Sequence, residues 1–453
     1  DLHRVDRRQR QMCIRDRNRP DVVGRIPSRT PSDPSGVPFS VTTRGWVFLV
    51  SGVVITIASL GMGQPDLAWV GMLLVLLPVL GMVLVAATQL HMSCQRRIEP
   101  ATIAIDERAE VTTTLVRRAG LPVGILRFEE TTPRALGDAP RFAIHTLSAS
   151  WRRTVQYWLE GQARGYYGVG PLLVRTCDPF RTAYADHSFR TVNHLMVTPK
   201  VHPLAPLNSL AGAGRSGSST PRKVGAQGQD DILVREYRQG DDLRRVHWRS
   251  SARHDSLMVR REEQAWDPSI ALLLDSRAAR HTGSGPKASF EWMVSAGASI
   301  ADHMISAGYR VRLCDADQPL LTTTGGSVAT ARQNSLTALT MVRVSGSSTL
   351  DGGITSISGG DSSETIIAIL ARLTLDDVER LTRVRVGRPL ALAIVMDTDS
   401  FTARRFRCTA EEADEHEKAV TQLEAHGWRV VRATKHSSIP QTWSTFDPQE
   451  DAR

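Results

Sequence analysis

Cysteine is scarce, with five in 453 residues, too few and too unevenly placed for a disulfide scaffold. Nucleotide-binding and hydrolase signatures are missing too: there is no Walker motif, no GxSxG and no HExxH. Hydrophobic residues make up 41% and charged residues 23%, which excludes a fibrous, collagen-like or wholly disordered chain. Aromatics are few, at 6%, and no aromatic-basic module is visible, so nucleic acid is not an expected partner.

Charge itself is missing from two stretches near the start, Trp46 to Met62 and Leu67 to Ala87. At 1.5 Å per residue the second reaches roughly 31 Å, the thickness of a bilayer's hydrocarbon core. Gly63-Gln64-Pro65-Asp66 forms a turn between them. The pair therefore reads as a two-helix transmembrane hairpin, with Trp46 and Trp69 as interface anchors. Arg44 precedes it and Arg96 and Arg97 follow, so the positive-inside rule places both ends in the cytoplasm of a multi-pass plasma-membrane protein. The first stretch begins too late for a signal peptide. The formal net charge is +9, and residues 1–43 hold nine Arg against five Asp. Cys94 lies just inside the expected membrane and is a candidate for acylation, read more simply as an ordinary thiol.

Composition then divides the chain. Residues 1–43 read as a disordered tail, of which 1–17 resemble translated adapter sequence; 44–90 is the hairpin. Residues 98–205 carry short alternating runs bounded by Gly, Pro or charge, the pattern of a β-sandwich-like domain. A Gly/Ser/Ala-rich flexible linker covers 206–230, an Arg-rich segment 231–266, an α/β domain 267–436, and a C-terminal tail 437–453. In the α/β domain, mostly apolar strands at Ser269–Leu274, Tyr309–Cys314, Thr365–Leu370, Leu390–Met396 and Trp428–Ala433 alternate with helical patterns. That alternation means a parallel sheet covered on both faces. Gly297 falls on the apolar face of one such helix, where a missing side chain lets the sheet approach.

The Arg-rich segment is the densest polar stretch. From Arg235 to Glu262 there are eight Arg and five acids. Gln239-Gly240-Asp241 reads as a turn, with Asp241 capping a short helix that carries Leu243, Val246 and Trp248. Arg235, Arg244, Arg245, Arg249 and Arg253 have the forked donors that grip phosphate or carboxylate. The same residues fit a salt-bridge web with Glu236, Asp241, Asp242, Asp255 and Glu262. Tyr237 and Trp248 are expected to pin the segment against a domain. His247 and His254 are seven apart with no third ligand beside them.

The string from Arg235 through Arg-Gln-Gly240-Asp241-Asp-Leu-Arg244-Arg245-Val-His247-Trp248-Arg249 to Arg253, continuing to Leu257-Met-Val-Arg260, resembles the signature of the domain of unknown function 58 family. The resemblance covers roughly residues 44 to 435, including the Asp178-Pro179-Phe180 segment, where Arg181 stands at a position that is often Gly in the family. It implies that the C-terminal domain is von Willebrand factor A-like, a Rossmann-like α/β fold. It also implies bacterial partners by association: a MoxR-type AAA+ ATPase and a transglutaminase-like membrane protein. Such domains often hold a divalent metal through Asp-x-Ser-x-Ser after the first strand. Here Asp275 matches, but both serine positions are lost, to Arg277 and Ala279, and Ser276 falls one step off. With Asp397 and Asp399 these are the candidate metal residues, too few oxygens for a Mg²⁺ cofactor to be expected. The expected function is a membrane-anchored, cytoplasm-facing scaffold or adaptor rather than an enzyme. The alternatives are a metal-dependent ligand binder or enzyme at the Asp275 edge, and anion or phospholipid-headgroup binding by the Arg-rich segment.

Overall fold

The computed structural model describes residues 39–87, 91–119, 125–145, 150–208, 234–237, 246, 248–254, 256–260, 268–323, 326–361, 363–403 and 407–447. The expected tail over 1–38 and linker residues 209–230 lie outside the described residues, as do Gly240, Asp241, Arg244, Arg245 and His247. The chain divides between Lys200 and Val201 into two compact units.

The first unit begins with a short strand, β1 (Phe39–Val41), and two helices, α1 (Thr43–Met62) and α2 (Pro65–Ala87). Thr42 caps α1 by accepting from the Gly45 N–H at 3.2 Å, and α1 stops at Gly63, whose φ of 66° suits a residue without Cβ. Pro65 then opens α2, where its missing N–H costs nothing. Small residues bring the helices together: a Cβ on Gly52 would lie 2.8 Å from the Gly71 carbonyl oxygen. Mean hydropathy is 2.0 for α1 and 2.6 for α2, yet at most 22% of either apolar window is buried. Both helices are long and apolar enough to cross a membrane, and most of each apolar window is left unburied among the described residues.

Ten strands follow: β2 (His91–Glu99), β3 (Thr102–Ala104), β4 (Arg108–Ala119), β5 (Ile125–Glu130), β6 (Arg141–His145), β7 (Trp151–Glu160), β8 (Gly165–Val169), β9 (Leu172–Cys177), β10 (Ala183–Phe189) and β11 (Asn193–Thr198). They form sheets ordered β2-β4-β7, β1-β10-β9-β5-β6 and β3-β11-β8. The two-residue alternation read at 153–159 is real, with Val155, Tyr157 and Leu159 pointing inward. All three sheets feed one core through residues such as Leu115, Phe128, Tyr157 and Leu195.

Arg96 corrects one expectation. It is not a charge beside the membrane but lies in β2 with its side chain buried, 2.7 Å from Glu130, which also accepts from the Tyr157 hydroxyl at 2.7 Å. Burial pushes the Glu130 carboxyl up against the lowering pull of Arg96. A guanidinium with a fixed inner carboxylate is unavailable to lipid. Cys94 is a free, half-buried strand thiol whose pKa burial pushes up, in keeping with its reading as an ordinary thiol.

The second unit holds a two-stranded ribbon, β12 (Val234–Glu236) with β13 (Met258–Arg260), and a short helix α3 (Trp248–His254) between them. Val246 is not helical as expected. It forms an antiparallel bridge to Val259, because strand pairing satisfies its backbone before the helix begins at Trp248. A six-stranded sheet follows, from β14 (Ser269–Leu274), β15 (Arg310–Cys314), β16 (Pro319–Thr322), β17 (Thr365–Leu370), β18 (Ala391–Met396) and β19 (Arg429–Ala433). Its order is β16-β15-β14-β17-β18-β19, parallel except for β16. The helices are α4 (Ser289–Ser306), α5 (Val328–Met341), α6 (Asp351–Ser358), α7 (Leu375–Arg385), α8 (Ala410–Ala425) and α9 (Ile439–Ser444).

Alternate residues of β14 feed opposite faces: Leu272 and Leu274 meet α4, while Ala271 and Leu273 meet the layer of α7 and α8. A Cβ on Gly297 would lie 2.9 Å from Leu274, so this is where α4 touches the sheet. The expected C-terminal tail is instead packed: Trp443 on α9 is fully buried, and its indole N–H donates to the Ala205 carbonyl at 2.8 Å. Leu207 joins the same core, so 201–207 belong to this unit and not to the β-rich one.

Candidate functional site

The chain leaves β14 to α4 on one face of the sheet and leaves β17 to α7 on the other. The carboxyl ends of these two adjacent strands therefore border a topological switch point, the usual place for a site in a doubly wound sheet. Asp275, Ser276 and Arg277 follow β14 directly, and Ala371 follows β17.

Arg277 folds back onto Asp275. Its Nε donates to Asp275 Oδ1 at 2.8 Å and its Nη2 to Oδ2 at 2.9 Å. Nη1 donates to Asp377 Oδ1 at 2.8 Å. The Asp275 and Arg277 side chains have no exposed surface and Asp377 keeps 4%. Asp275 Oδ2 also accepts from the Ala371 N–H at 3.1 Å. Asp377 is the third residue of α7 and reaches back to the Thr374 N–H and hydroxyl, both at 3.0 Å, closing a capping box. Burial alone lowers the Arg277 pKa, but its hydrogen bonds and charge interactions with Asp275 and Asp377 more than reverse this, and the guanidinium stays charged.

The arrangement is a cation bridging two acids, with the cation supplied by the chain. A divalent ion bridging Asp275 and Asp377 would have to expel a guanidinium held by forked bonds. The residues present therefore do not fit the metal that the family resemblance implies. Ser276 turns away, its hydroxyl accepting from the Ala316 N–H at 3.2 Å and its carbonyl from the Ser345 N–H at 2.6 Å. Asp397 caps its own turn, accepting from the Asp399 and Ser400 N–H groups. Asp399 takes Arg372 at 3.0 Å and the Cys408 thiol at 2.9 Å. The four candidate metal residues are thus near one sheet edge, but each is engaged separately. Among the described residues no group of three or more His, Cys, Asp or Glu is placed to hold a metal ion.

Three site residues had no signal that assigned them. Asp377 reads as a helix cap, and its partner is 100 residues away. Asp315, buried after β15, accepts from the N–H groups of Asp317 and Gln318. His281 donates from Nε2 to the Asp275 carbonyl, and burial holds its pKa below the ordinary range, so the ring is a neutral prop for the loop.

In the Arg-rich segment the geometry is mixed. Arg235 lies in β12, and the half-buried Tyr237 donates its N–H to the Leu257 carbonyl at 2.7 Å. Arg249 and Arg253 lie on α3, which is tied to β13 where Ser251 accepts from the Met258 N–H at 2.8 Å. Trp248 is 72% exposed, so it does not pin the segment as expected; its ring and Arg253 face solvent.

The second unit is therefore a doubly wound α/β module with two edge acids bridged by the chain's own Arg277, and an exposed aromatic-basic helix beside a short ribbon. Residues 233–400 match the family model described as "Protein of unknown function DUF58", so the chain carries a DUF58 region. It is also 26% identical over 220 residues to "Uncharacterized protein YeaD" of Bacillus subtilis (strain 168), covering 47% of this chain and 53% of that protein. The chain thus spans about half the length of that curated relative. Among solved structures, an alkylpurine DNA glycosylase AlkC of Pseudomonas fluorescens bound to DNA aligns at 14% identity and a TM-score of 0.17, over 30% of this chain and 39% of that one. A beta-glucosidase of Listeria innocua aligns at 13% identity and 0.15, over 24% and 16%. Scores this low carry no argument about fold or function.

Proposed function

We propose that this protein is a membrane-anchored, cytoplasm-facing scaffold or adaptor that presents its α/β unit to a protein partner. The observation that carries the reading is the edge at Asp275. Where a ligand-binding module would keep an open coordination position, the Arg277 guanidinium occupies the space between both acids inside the protein. Chemistry or cation-dependent binding at that edge is disfavoured, while the α3 surface with Trp248 and Arg253 is open. The strand order and the Asp at the end of the first strand support reading the unit as von Willebrand factor A-like. By family association the first partner to try is a MoxR-type AAA+ ATPase, and a transglutaminase-like membrane protein the second. The two apolar helices support a multi-pass anchor with both ends on the cytoplasmic side, now on Arg44 and Arg97 without Arg96.

The test is co-purification of the full chain, in detergent, with a co-expressed bacterial MoxR-type ATPase. Complex formation that is lost with Trp248→Ala or Arg253→Glu supports the reading. No complex with the ATPase, or one that both variants leave unchanged, refutes the docking surface named here.

A further inference from the structure

One turn of the first unit is fastened to both apolar helices at the same level. Asp178, buried after β9, organises it: Oδ2 accepts from the Phe180 N–H at 3.0 Å and the Thr182 hydroxyl at 3.1 Å, and Oδ1 from the Ala183 N–H at 2.6 Å. Arg181 takes the left-handed conformation, with φ of 58°, and Pro179, Phe180 and Arg181 are left exposed at the tip. The base of the turn then docks. The Thr42 N–H donates to the Thr182 carbonyl at 2.8 Å, and the Thr42 hydroxyl to the Arg181 carbonyl at 2.7 Å. Gly45 of α1 abuts the Thr182 carbonyl, and a Cβ on Gly81 of α2 would lie 2.6 Å from the Thr182 hydroxyl and 3.1 Å from the Asp178 carboxyl. Only glycine allows either approach. Ala183 and Ala185 pack on Val85 of α2.

The helices act as rulers. At 1.5 Å per residue, Gly45 lies about 26 Å from the far end of α1 at Met62, and Gly81 about 24 Å from the start of α2 at Pro65. A hydrocarbon core is about 30 Å thick. With the Gly63–Asp66 turn on one side of the bilayer, both helices hold the Asp178 turn near the other boundary. Phe180 is 53% exposed there, and Trp46, 59% exposed, leaves α1 at the same level. Arg44 and Arg181 are exposed beside these two aromatics in sequence. Aromatic rings with flanking cations are what a bilayer interface with anionic headgroups takes up.

We propose that the Pro179–Arg181 tip is a lipid contact, with Phe180 entering the boundary between acyl chains and headgroups and Arg181 meeting lipid phosphate. This rests on the reading of α1 and α2 as membrane-spanning. The β-rich unit would then be held against the bilayer surface through this turn as well as through its helices.

The experiment is photocrosslinking of the full chain reconstituted in vesicles of phosphatidylcholine and phosphatidylglycerol. p-Benzoylphenylalanine replaces one residue at a time: Phe180, Leu60 on α1, or Tyr166, an exposed ring on β8. Adducts are read by mass spectrometry. The expected result is phospholipid adducts at 180 and 60 and none at 166 above the unsubstituted chain. Adducts at 60 without any at 180 overturn the contact while leaving the spans intact. Adducts at 166 equal to those at 180 also overturn it, because the turn is then not a selective contact. No adducts at 60 or 180 remove the membrane-spanning reading and this inference with it.

Discussion

Replacing Arg277 with serine tests the central claim about the Asp275 edge. The substitution removes three charge-assisted hydrogen bonds to carboxylates and leaves Asp275 and Asp377 buried without a cation. Breaking a buried ion pair by deleting one partner costs about 3–5 kcal/mol, because the remaining charge keeps its desolvation penalty. For a unit of this size each kcal/mol moves the melting temperature by roughly 2–4 °C, so the variant should melt roughly 6–20 °C lower at neutral pH.

Serine also restores an oxygen at the position that Asp-x-Ser-x-Ser would fill. Millimolar Mg²⁺ should therefore raise the melting temperature of Arg277→Ser, by the equivalent of about 2.7 kcal/mol if the ion reaches a hundred times its dissociation constant. The parent chain should show no Mg²⁺-dependent shift. The assay is thermal unfolding of the full chain in detergent, parent and variant, with Mg²⁺ or with chelator, at neutral pH. A parent that gains as much from Mg²⁺ as the variant does would refute the argument, as would a variant that loses less than about 1 kcal/mol.

Other consequences are quicker to check. Trp248→Ala should leave unfolding within about 0.5 kcal/mol of the parent, since a largely exposed ring contributes little packing, and a larger loss by chemical denaturation would mean that the ring is covered. Trp443→Ala should cost about 3–5 kcal/mol by the same measurement, because a fully buried indole and its bond to Ala205 are lost; a near-neutral result would return the C-terminal segment to a tail. Gly353→Ala should destabilise by roughly 1–3 kcal/mol, because the new methyl meets the Asp315 carbonyl, and an unchanged or higher melting temperature would show that the loop simply moves.

The parts that could be read without a structure are those where one pattern dominates. The strands at Ser269–Leu274 and Thr365–Leu370 fall where the apolar runs lie, because a parallel strand covered on both faces needs apolar residues at every step. The two uncharged stretches become helices for the equally simple reason that nothing polar interrupts them. Where pairing is non-local, the sequence is silent. Val246 falls in a stretch that reads as a short helix but finds Val259 across a ribbon. β16 is four residues on a sheet edge with no apolar run to mark it. Trp443 sits in a polar string and declares its burial only through α9. Arg96 looked like a flanking charge because sequence shows the sign of a residue but not its partner, here Glu130.

Arg277 carries the same lesson further, because its charge was visible as a flaw in a metal motif and not as a replacement for the metal. A divalent ion held by a few protein oxygens keeps coordination positions for water or for a partner's carboxylate. A guanidinium bonded to Asp275 and Asp377 keeps none pointing outward, and its side chain has no exposed surface. An ion or a ligand entering this edge would first have to displace that guanidinium from Asp275 and Asp377. The loops of the edge are tied to it: Ala371 is bonded to Asp275, Ser345 to Ser276, and His281 to the Asp275 carbonyl. Any change of state in a protein built this way has to be imposed from outside the edge. That is why the adaptor reading looks to the α3 surface, and to a partner that itself consumes ATP, for the source of control.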